Sequence, residues 1–190
     1  MTNNRWRTVD IVVASILAVA FGVVFWAWGL LWSATGTAFG AFPPGQAFMY
    51  GVWLLPAVLA PLIVRKPGAA LFAELIAGIV SALLGSAWGS SVIIYGLLQG
   101  LAGEVGFAVF RYRRYGVVPA LVAAAFAGGM AAVLDFVYYY GDWSGTWKVT
   151  YLTLTVVSTL VIAGLGGLAL TRALSATGAL SSFRSSGVRV

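Results

Sequence analysis

Residues 11–32 read IVVASILAVAFGVVFWAWGLLW and contain no charged side chain. An α-helix needs about 20 mainly apolar residues to cross the roughly 30 Å hydrocarbon core of a bilayer. The run meets that length, and no small-residue cleavage site followed by soluble sequence marks it as a signal peptide. Residues 11–32 are therefore predicted to form a transmembrane helix.

Five further apolar runs approach the same length, and a short basic turn, RKPG at residues 65–68, separates two of them. Only 8% of the 190 residues are charged, whereas a soluble domain carries about 25%, so most of the surface must face lipid. We predict an all-α integral membrane protein, a single domain with a polar tail over residues 172–190. Its six transmembrane helices are predicted over residues 11–32, 47–64, 69–85, 92–110, 117–140 and 149–171.

The basic residues predict the orientation of these helices. All but one of the 11 Lys and Arg side chains fall in segments that would share one side of the membrane, and the exception is Lys148. Positive charge marks the cytoplasmic side, so both termini are predicted to lie in the cytoplasm. Membrane orientation thus explains the net charge of +6, and no nucleic-acid partner is expected.

The opposite, outer half concentrates the indole side chains, and Trp6 is the one Trp outside it. These residues form either an interfacial belt or the wall of a pocket, and a belt would appear at both interfaces. The uncharged segment 33–46 is either a lid over such a pocket or a plain connection. The segment 141–147 would close the same pocket from the other side.

Polar groups at membrane depth are the next candidates, because ionisable side chains there are costly and commonly functional. Tyr95 and Gln99 lie four residues apart on one helix face, above a glycine-lined space with Glu104 deeper in the membrane. This arrangement suits a flat heterocycle, or else Gln99 simply bonds a neighbouring helix. Asp135 either contacts the ligand beside Tyr139 or pairs with Lys148.

The resulting candidate set combines these polar groups with the outer aromatic residues. Glu74 is expected to bond another helix, with coupling or ligand contact as its second role. The predicted substrate-binding residues are Glu104, Gln99, Tyr95, Trp88, Trp26, Trp32, Trp53, Asp135, Tyr139 and Trp143.

The small residues Ala14, Ala18 and Gly22 recur at four-residue spacing on the first helix. Such a stripe lets another helix approach closely, either within the protein or from a partner, and we take it as the candidate docking surface. The chain contains no His and no Cys, so no metal site, no cofactor and no enzymatic activity are expected.

Two motifs carry a resemblance to a known family. Residues 66–78 read KPGAALFAELIAG, and residues 95–104 read YGLLQGLAGE. With the Ala14-x-x-x-Ala18 face, they resemble the YkoE family of substrate-binding S components of energy-coupling-factor (ECF) vitamin transporters, and the likeness covers nearly the whole chain.

The resemblance implies an S-component-like bundle in the cell membrane of a bacterium or archaeon. It implies capture of thiamine or its hydroxymethylpyrimidine precursor on the outer side. It also implies docking through Ala14 and Ala18 onto a transmembrane T component that sits on ABC ATPases. A cation stacked on Trp or Tyr gains about 0.5–2 kcal/mol, so thiamine suits the aromatic outer half. The alternatives are an S component for another vitamin, or a structural membrane protein.

Overall fold

A computed structural model describes residues 5–178, and this part of the chain contains helices and no strand. Six helical rods follow one another, and the second and sixth are each built from consecutive segments. The rods are α1 (Thr8–Thr35), a 3₁₀ segment (Pro43–Leu54) continued by α2 (Leu55–Val64), α3 (Ala69–Leu83), α4 (Ser91–Ala108), α5 (Val117–Tyr138), and α6 (Gly145–Thr159) continued through a π-helical turn (Leu160–Leu165) into α7 (Gly166–Ala176).

Within residues 5–178, every rod except α3 is long and apolar enough to cross a membrane. The all-helical membrane bundle is therefore confirmed. Helix α3 has 15 residues, which corresponds to a length of about 22 Å. The sixth rod continues to Ala176, into the segment predicted as a polar tail. The remainder of that tail, with Arg184 and Arg189, lies outside the described residues.

The small-residue stripe of α1 packs inside the protein. Ala14 and Ala18 are fully buried against α2 and α3. A Cβ added at Gly22 would lie 2.6 Å from Cγ1 of Val80, so only glycine fits there. The expectation that these three residues dock a partner is therefore wrong, because α3 occupies the surface that the partner would need.

Helices α3 and α4 approach each other closely through glycine. A Cβ added at Gly96 would lie 2.7 Å from the backbone oxygen of Glu74, and one added at Gly100 would lie 3.0 Å from Glu74 Cβ. Any larger residue at Gly96 would push the helices apart. This contact therefore fixes Glu74 directly beside α4.

The 3₁₀ segment holds aromatic side chains in the centre of the bundle. A 3₁₀ run of 12 residues is long, since most end after three or four. The Gly51 amide donates to Oγ of Ser158 at 3.0 Å, and that hydroxyl donates to the Phe48 oxygen at 2.7 Å. The Trp53 indole donates to the Phe25 oxygen of α1 at 3.3 Å. These bonds anchor the segment on both sides.

The bundle has two chemically different ends. We call the end with the 65–68 turn and the 111–116 turn the basic end, and the end with segments 36–42, 84–90 and 139–144 the aromatic end. At the basic end the Trp6 indole donates to the Pro67 oxygen at 2.9 Å. Gly68 has a φ of 86°, a conformation that glycine adopts without strain, and it allows the turn before α3.

Candidate ligand-binding cavity

A cavity of about 220 Å³ lies between α1, the 3₁₀ segment, α3, α4 and α5. Ser86 and Trp88 lie at its aromatic-end side, and Glu74 lies in its wall nearer the basic end. Its lining consists mainly of aromatic rings, small residues and a few polar groups. The lining residues are Phe25, Trp32, Tyr50, Trp53, Glu74, Ser81, Ser86, Trp88, Ser91, Val92, Tyr95, Gly96, Gln99, Asp135, Tyr139 and Tyr140.

Four rings form one continuous aromatic wall. The centroid of Trp53 lies 5.1 Å from that of Trp32, 5.3 Å from Tyr50 and 5.5 Å from Trp88. Trp53 meets Trp88 and Tyr50 edge to face, at interplanar angles of 87° and 71°. These are favourable geometries for aromatic pairs, which hold one another in place. The wall is thus a preformed surface on which a flat ring can stack.

Asp135 presents a buried carboxylate to the cavity. Its Oδ1 accepts a hydrogen bond from the Tyr95 hydroxyl at 2.8 Å, and its Oδ2 accepts one from the Tyr151 hydroxyl at 2.6 Å. The residue is 5% exposed, so these two phenols replace the water that would otherwise solvate it. Each carboxylate oxygen retains a free lone pair, so Asp135 can accept a further donor.

Gln99 extends this polar wall. Its Nε2 donates to the Tyr50 hydroxyl at 3.2 Å, and Tyr50 in turn faces Asp135. Gln99 thus holds Tyr50 beside the carboxylate, whose two phenol partners come from α4 and α6. At the aromatic end, burial followed by the charge of Asp135 raises the pKa of Tyr140 to about 12, so that this hydroxyl stays protonated at neutral pH.

Seven of the predicted binding residues meet around this cavity. They come from four different rods and from the segments 84–90 and 139–144, so their convergence is a property of the fold. These seven are Gln99, Tyr95, Trp88, Trp32, Trp53, Asp135 and Tyr139.

Two predicted aromatic residues lie outside the cavity wall. Trp26 is replaced there by its neighbour Phe25, because consecutive helical residues point in directions about 100° apart. Trp143 stacks on Tyr140 with centroids 4.0 Å apart, and it is Tyr140 that reaches the cavity. Trp143 therefore supports a lining ring and does not line the cavity itself.

Glu104 also lies outside the cavity wall, contrary to the prediction. Its Oε1 accepts from the Gly68 amide at 2.6 Å, and its Oε2 accepts from the Ala70 amide at 3.0 Å and the Leu71 amide at 3.5 Å. These amides open α3, and a carboxylate there bonds free N–H groups and favours the helix dipole. Glu104 thus stabilises the basic end.

The predicted pairing of Asp135 with Lys148 is also wrong. Nζ of Lys148 donates to the Gly141 oxygen at 2.6 Å, while both oxygens of Asp135 are bound by phenols. The segment 33–46 contributes no lining residue, although Nε2 of Gln46 ties it to the Trp32 oxygen at 2.7 Å. Its role as a lid stays a prediction.

Sequence reasoning missed several lining residues, and one of them had a usable signal. Tyr50 and Trp53 are three residues apart, so in a 3₁₀ helix with three residues per turn they share a face. The same spacing shares a face in an α-helix, so the predicted Trp53 could have identified Tyr50. Phe25, Tyr140 and the serines of the lining carry no comparable pattern.

An apolar helical bundle with an aromatic cavity and buried carboxyl groups defines a class: membrane-embedded receptors for small molecules. The family described as "ABC-type cobalt transport system, permease component" matches residues 9–130. The chain is 34% identical over 182 residues to a Bacillus subtilis (strain 168) protein named "Putative HMP/thiamine permease protein YkoE", covering 94% of this chain and 89% of that protein.

The fold agrees with this relationship. A crystal structure of an S component of an ECF transporter superposes with a TM-score of 0.89 at 31% identity, covering 94% of this chain and 90% of that one. The chain therefore belongs to the YkoE family of ECF-transporter S components, as its two motifs indicated. It is a multi-pass membrane protein and a substrate-binding transport subunit, not an enzyme.

Proposed function

We propose that this chain captures hydroxymethylpyrimidine or thiamine in the 220 Å³ cavity and delivers it for import. The observation that carries the proposal is Asp135, a buried carboxylate held by two phenols beside a wall of aromatic rings. The named specificity of the Bacillus subtilis relative, HMP/thiamine, supports the same ligand class.

The lining suits the chemistry of these molecules. Both contain a flat aminopyrimidine, which stacks on rings such as Trp53 and Trp88. Asp135 offers a charge-assisted acceptor for an N–H or O–H donor, and for the positive charge of a thiazolium. Gln99 adds an amide with both donor and acceptor atoms. One ligand can therefore stack and form polar contacts at once.

The size of the cavity favours the smaller molecule. Pockets for drug-sized ligands measure about 300–1,000 Å³, and this cavity is smaller at about 220 Å³. A single pyrimidine ring with its substituents suits that space better than the two rings of thiamine. We therefore expect tighter binding of hydroxymethylpyrimidine.

The membrane setting follows from the charge distribution. We propose that the basic end faces the cytoplasm and that the aromatic end, with Trp88, opens outside the cell membrane of a bacterium or archaeon. The whole chain then acts as one membrane domain. The chain has no phosphate-binding G-x-x-x-x-G-K-[ST] motif, so the energy for import comes from ATPase subunits through a transmembrane T component.

Tryptophan fluorescence of the purified protein tests the proposal. Saturable quenching by hydroxymethylpyrimidine is expected, with weaker quenching by thiamine. The variant Asp135→Asn removes the charge and is expected to weaken binding about 10- to 100-fold, since hydrogen bonds to charged groups contribute about 1.5–3 kcal/mol.

Asp142→Asn is the matched control, because Asp142 is exposed and does not line the cavity. This control should bind as the wild type does. Absence of saturable quenching by either ligand, in protein with a cooperative thermal transition, would refute the proposed function.

A further inference from the structure

A second carboxyl group, that of Glu74, reaches the proposed binding cavity. Glu74 is fully buried and belongs to the cavity wall. Among the described residues, neither of its side-chain oxygens has a hydrogen-bond partner. The Ala57 backbone approaches from α2, short of a formed hydrogen bond. A buried polar group in this condition carries a substantial free-energy cost.

The other carboxyl groups on the helices, within residues 5–178, all have partners. Asp10 forms an ion pair with Arg7 at 2.9 Å, Asp135 bonds two phenols, and Glu104 bonds the first amides of α3. Each of these three carboxyl groups thus has at least one hydrogen-bonding partner within the protein. Glu74 is the exception, and its place in the wall of a cavity supplies a reason.

Two glycines of the neighbouring helix lie against Glu74. The positions of α4 that face it are Gly96 and Gly100, which have no side chain to place over the carboxyl. Ser81, also in the lining, lies seven residues further along α3, a distance of about 10 Å. A ligand stacked near the indoles therefore has to extend towards the basic end to reach Glu74.

We propose that Glu74 contacts the bound ligand directly and selects heterocycles that carry an amino group next to a ring nitrogen. One carboxyl oxygen accepts the amino N–H, and the other shares a proton with the ring nitrogen. The pair is neutral overall, so it brings no uncompensated charge into the membrane. This inference rests on the proposed function and adds the chemical group that the cavity recognises.

The assignment separates two roles. Asp135, already bonded to two phenols, positions the polar wall and accepts one further donor, whereas Glu74 has both oxygens available. A two-point contact discriminates strongly, because a ligand without the amino group leaves a buried acceptor unpaired. Glu74 is therefore the specificity-determining residue of this cavity.

Two substitutions test this role. Glu74→Met removes the polar atoms at similar size and should weaken hydroxymethylpyrimidine binding about 10- to 100-fold, the value of two lost hydrogen bonds. Glu74→Gln keeps an acceptor and a donor in the same places and should bind within about threefold of the wild type. The matched control is Leu75→Met, which introduces the same side chain on α3 outside the lining.

A stability measurement excludes a purely structural role. Replacing an unpartnered buried carboxyl by an apolar side chain is neutral or stabilising, so the ligand-free Glu74→Met protein should melt at or above the wild-type temperature. Glu74→Leu serves as a second apolar variant. Loss of folding in both would overturn the inference, because it would show that the carboxyl stabilises the empty protein.

The ligand itself completes the test. The analogue 5-hydroxymethyl-2-methylpyrimidine lacks the amino group and keeps only the ring-nitrogen contact, so its affinity should differ less between wild type and Glu74→Met than that of hydroxymethylpyrimidine does. Wild-type affinity of Glu74→Met for hydroxymethylpyrimidine would overturn the inference, and so would a loss in Glu74→Gln as large as that in Glu74→Met. If the wild type binds neither pyrimidine, the proposed function itself fails.

Discussion

Glu104 and Asp135 are both carboxylates at membrane depth, yet the structure gives them opposite roles that one substitution separates. Glu104→Gln keeps one oxygen acceptor for the amides that open α3 and removes the charge. The Gly68 and Ala70 amides lie 2.6 and 3.0 Å from the two carboxylate oxygens. We expect the substitution to destabilise the protein without affecting its ligand affinity.

The size of the effect follows from these contacts. A hydrogen bond to a charged group contributes about 1.5–3 kcal/mol and a neutral one about 1 kcal/mol, so the exchange of acceptors at Glu104 costs about 1–3 kcal/mol. At about 2–4 °C per kcal/mol for a chain of this length, the melting temperature should fall by roughly 2–12 °C.

Thermal unfolding and ligand titration of the same purified protein provide the assay. Since Glu104 lies outside the cavity, affinity should stay within about twofold of the wild type. Asp142→Asn, which removes an exposed charge, controls for the loss of charge alone. The reasoning is refuted if Glu104→Gln melts normally but binds hydroxymethylpyrimidine at least tenfold more weakly.

Two further substitutions test the packing. Gly29→Ala places a Cβ 2.9 Å from Cζ3 of Trp88 and should displace that indole. We expect ligand binding in fluorescence titrations to weaken roughly 3- to 10-fold. The control Gly36→Ala has open space around it and should leave binding unchanged. Ala18→Leu overpacks a fully buried position and should cost about 1–3 kcal/mol in the isolated chain, unlike Ile16→Leu at a position 64% exposed. An Ala18→Leu protein of normal stability that fails to assemble with a T component would restore the docking role of the α1 stripe.

The helical bundle was predictable because few backbone structures can cross a lipid bilayer. A spanning segment must satisfy its backbone polar groups internally, so long apolar runs in this sequence have to be helices. The aromatic and polar residues of the cavity were partly predictable for a related reason: Tyr95 and Gln99 lie four residues apart, and the helix itself places them on one face.

The roles of the two glutamates were not predictable by the same means. Spacing along a helix gives the face of a side chain, but it does not give the backbone that will lie opposite that face. Glu104 bonds the first amides of α3, and Glu74 lies in the wall of a cavity. The role of the stripe from Ala14 to Gly22 could not be predicted either, because packing against α3 and packing against a partner require the same small residues.

The short third helix has a consequence for how a ligand arrives. At about 22 Å, α3 falls roughly 8 Å short of a 30 Å hydrocarbon core. The segment 84–90, which carries Ser86 and Trp88, therefore lies below the level that the neighbouring rods reach. The bilayer must thin locally so that lipid headgroups and water reach this segment, at a modest free-energy cost for each ångström of thinning. With the aromatic end facing outwards, as we propose, a dissolved ligand would meet the mouth of the cavity at the bottom of a dip in the bilayer surface.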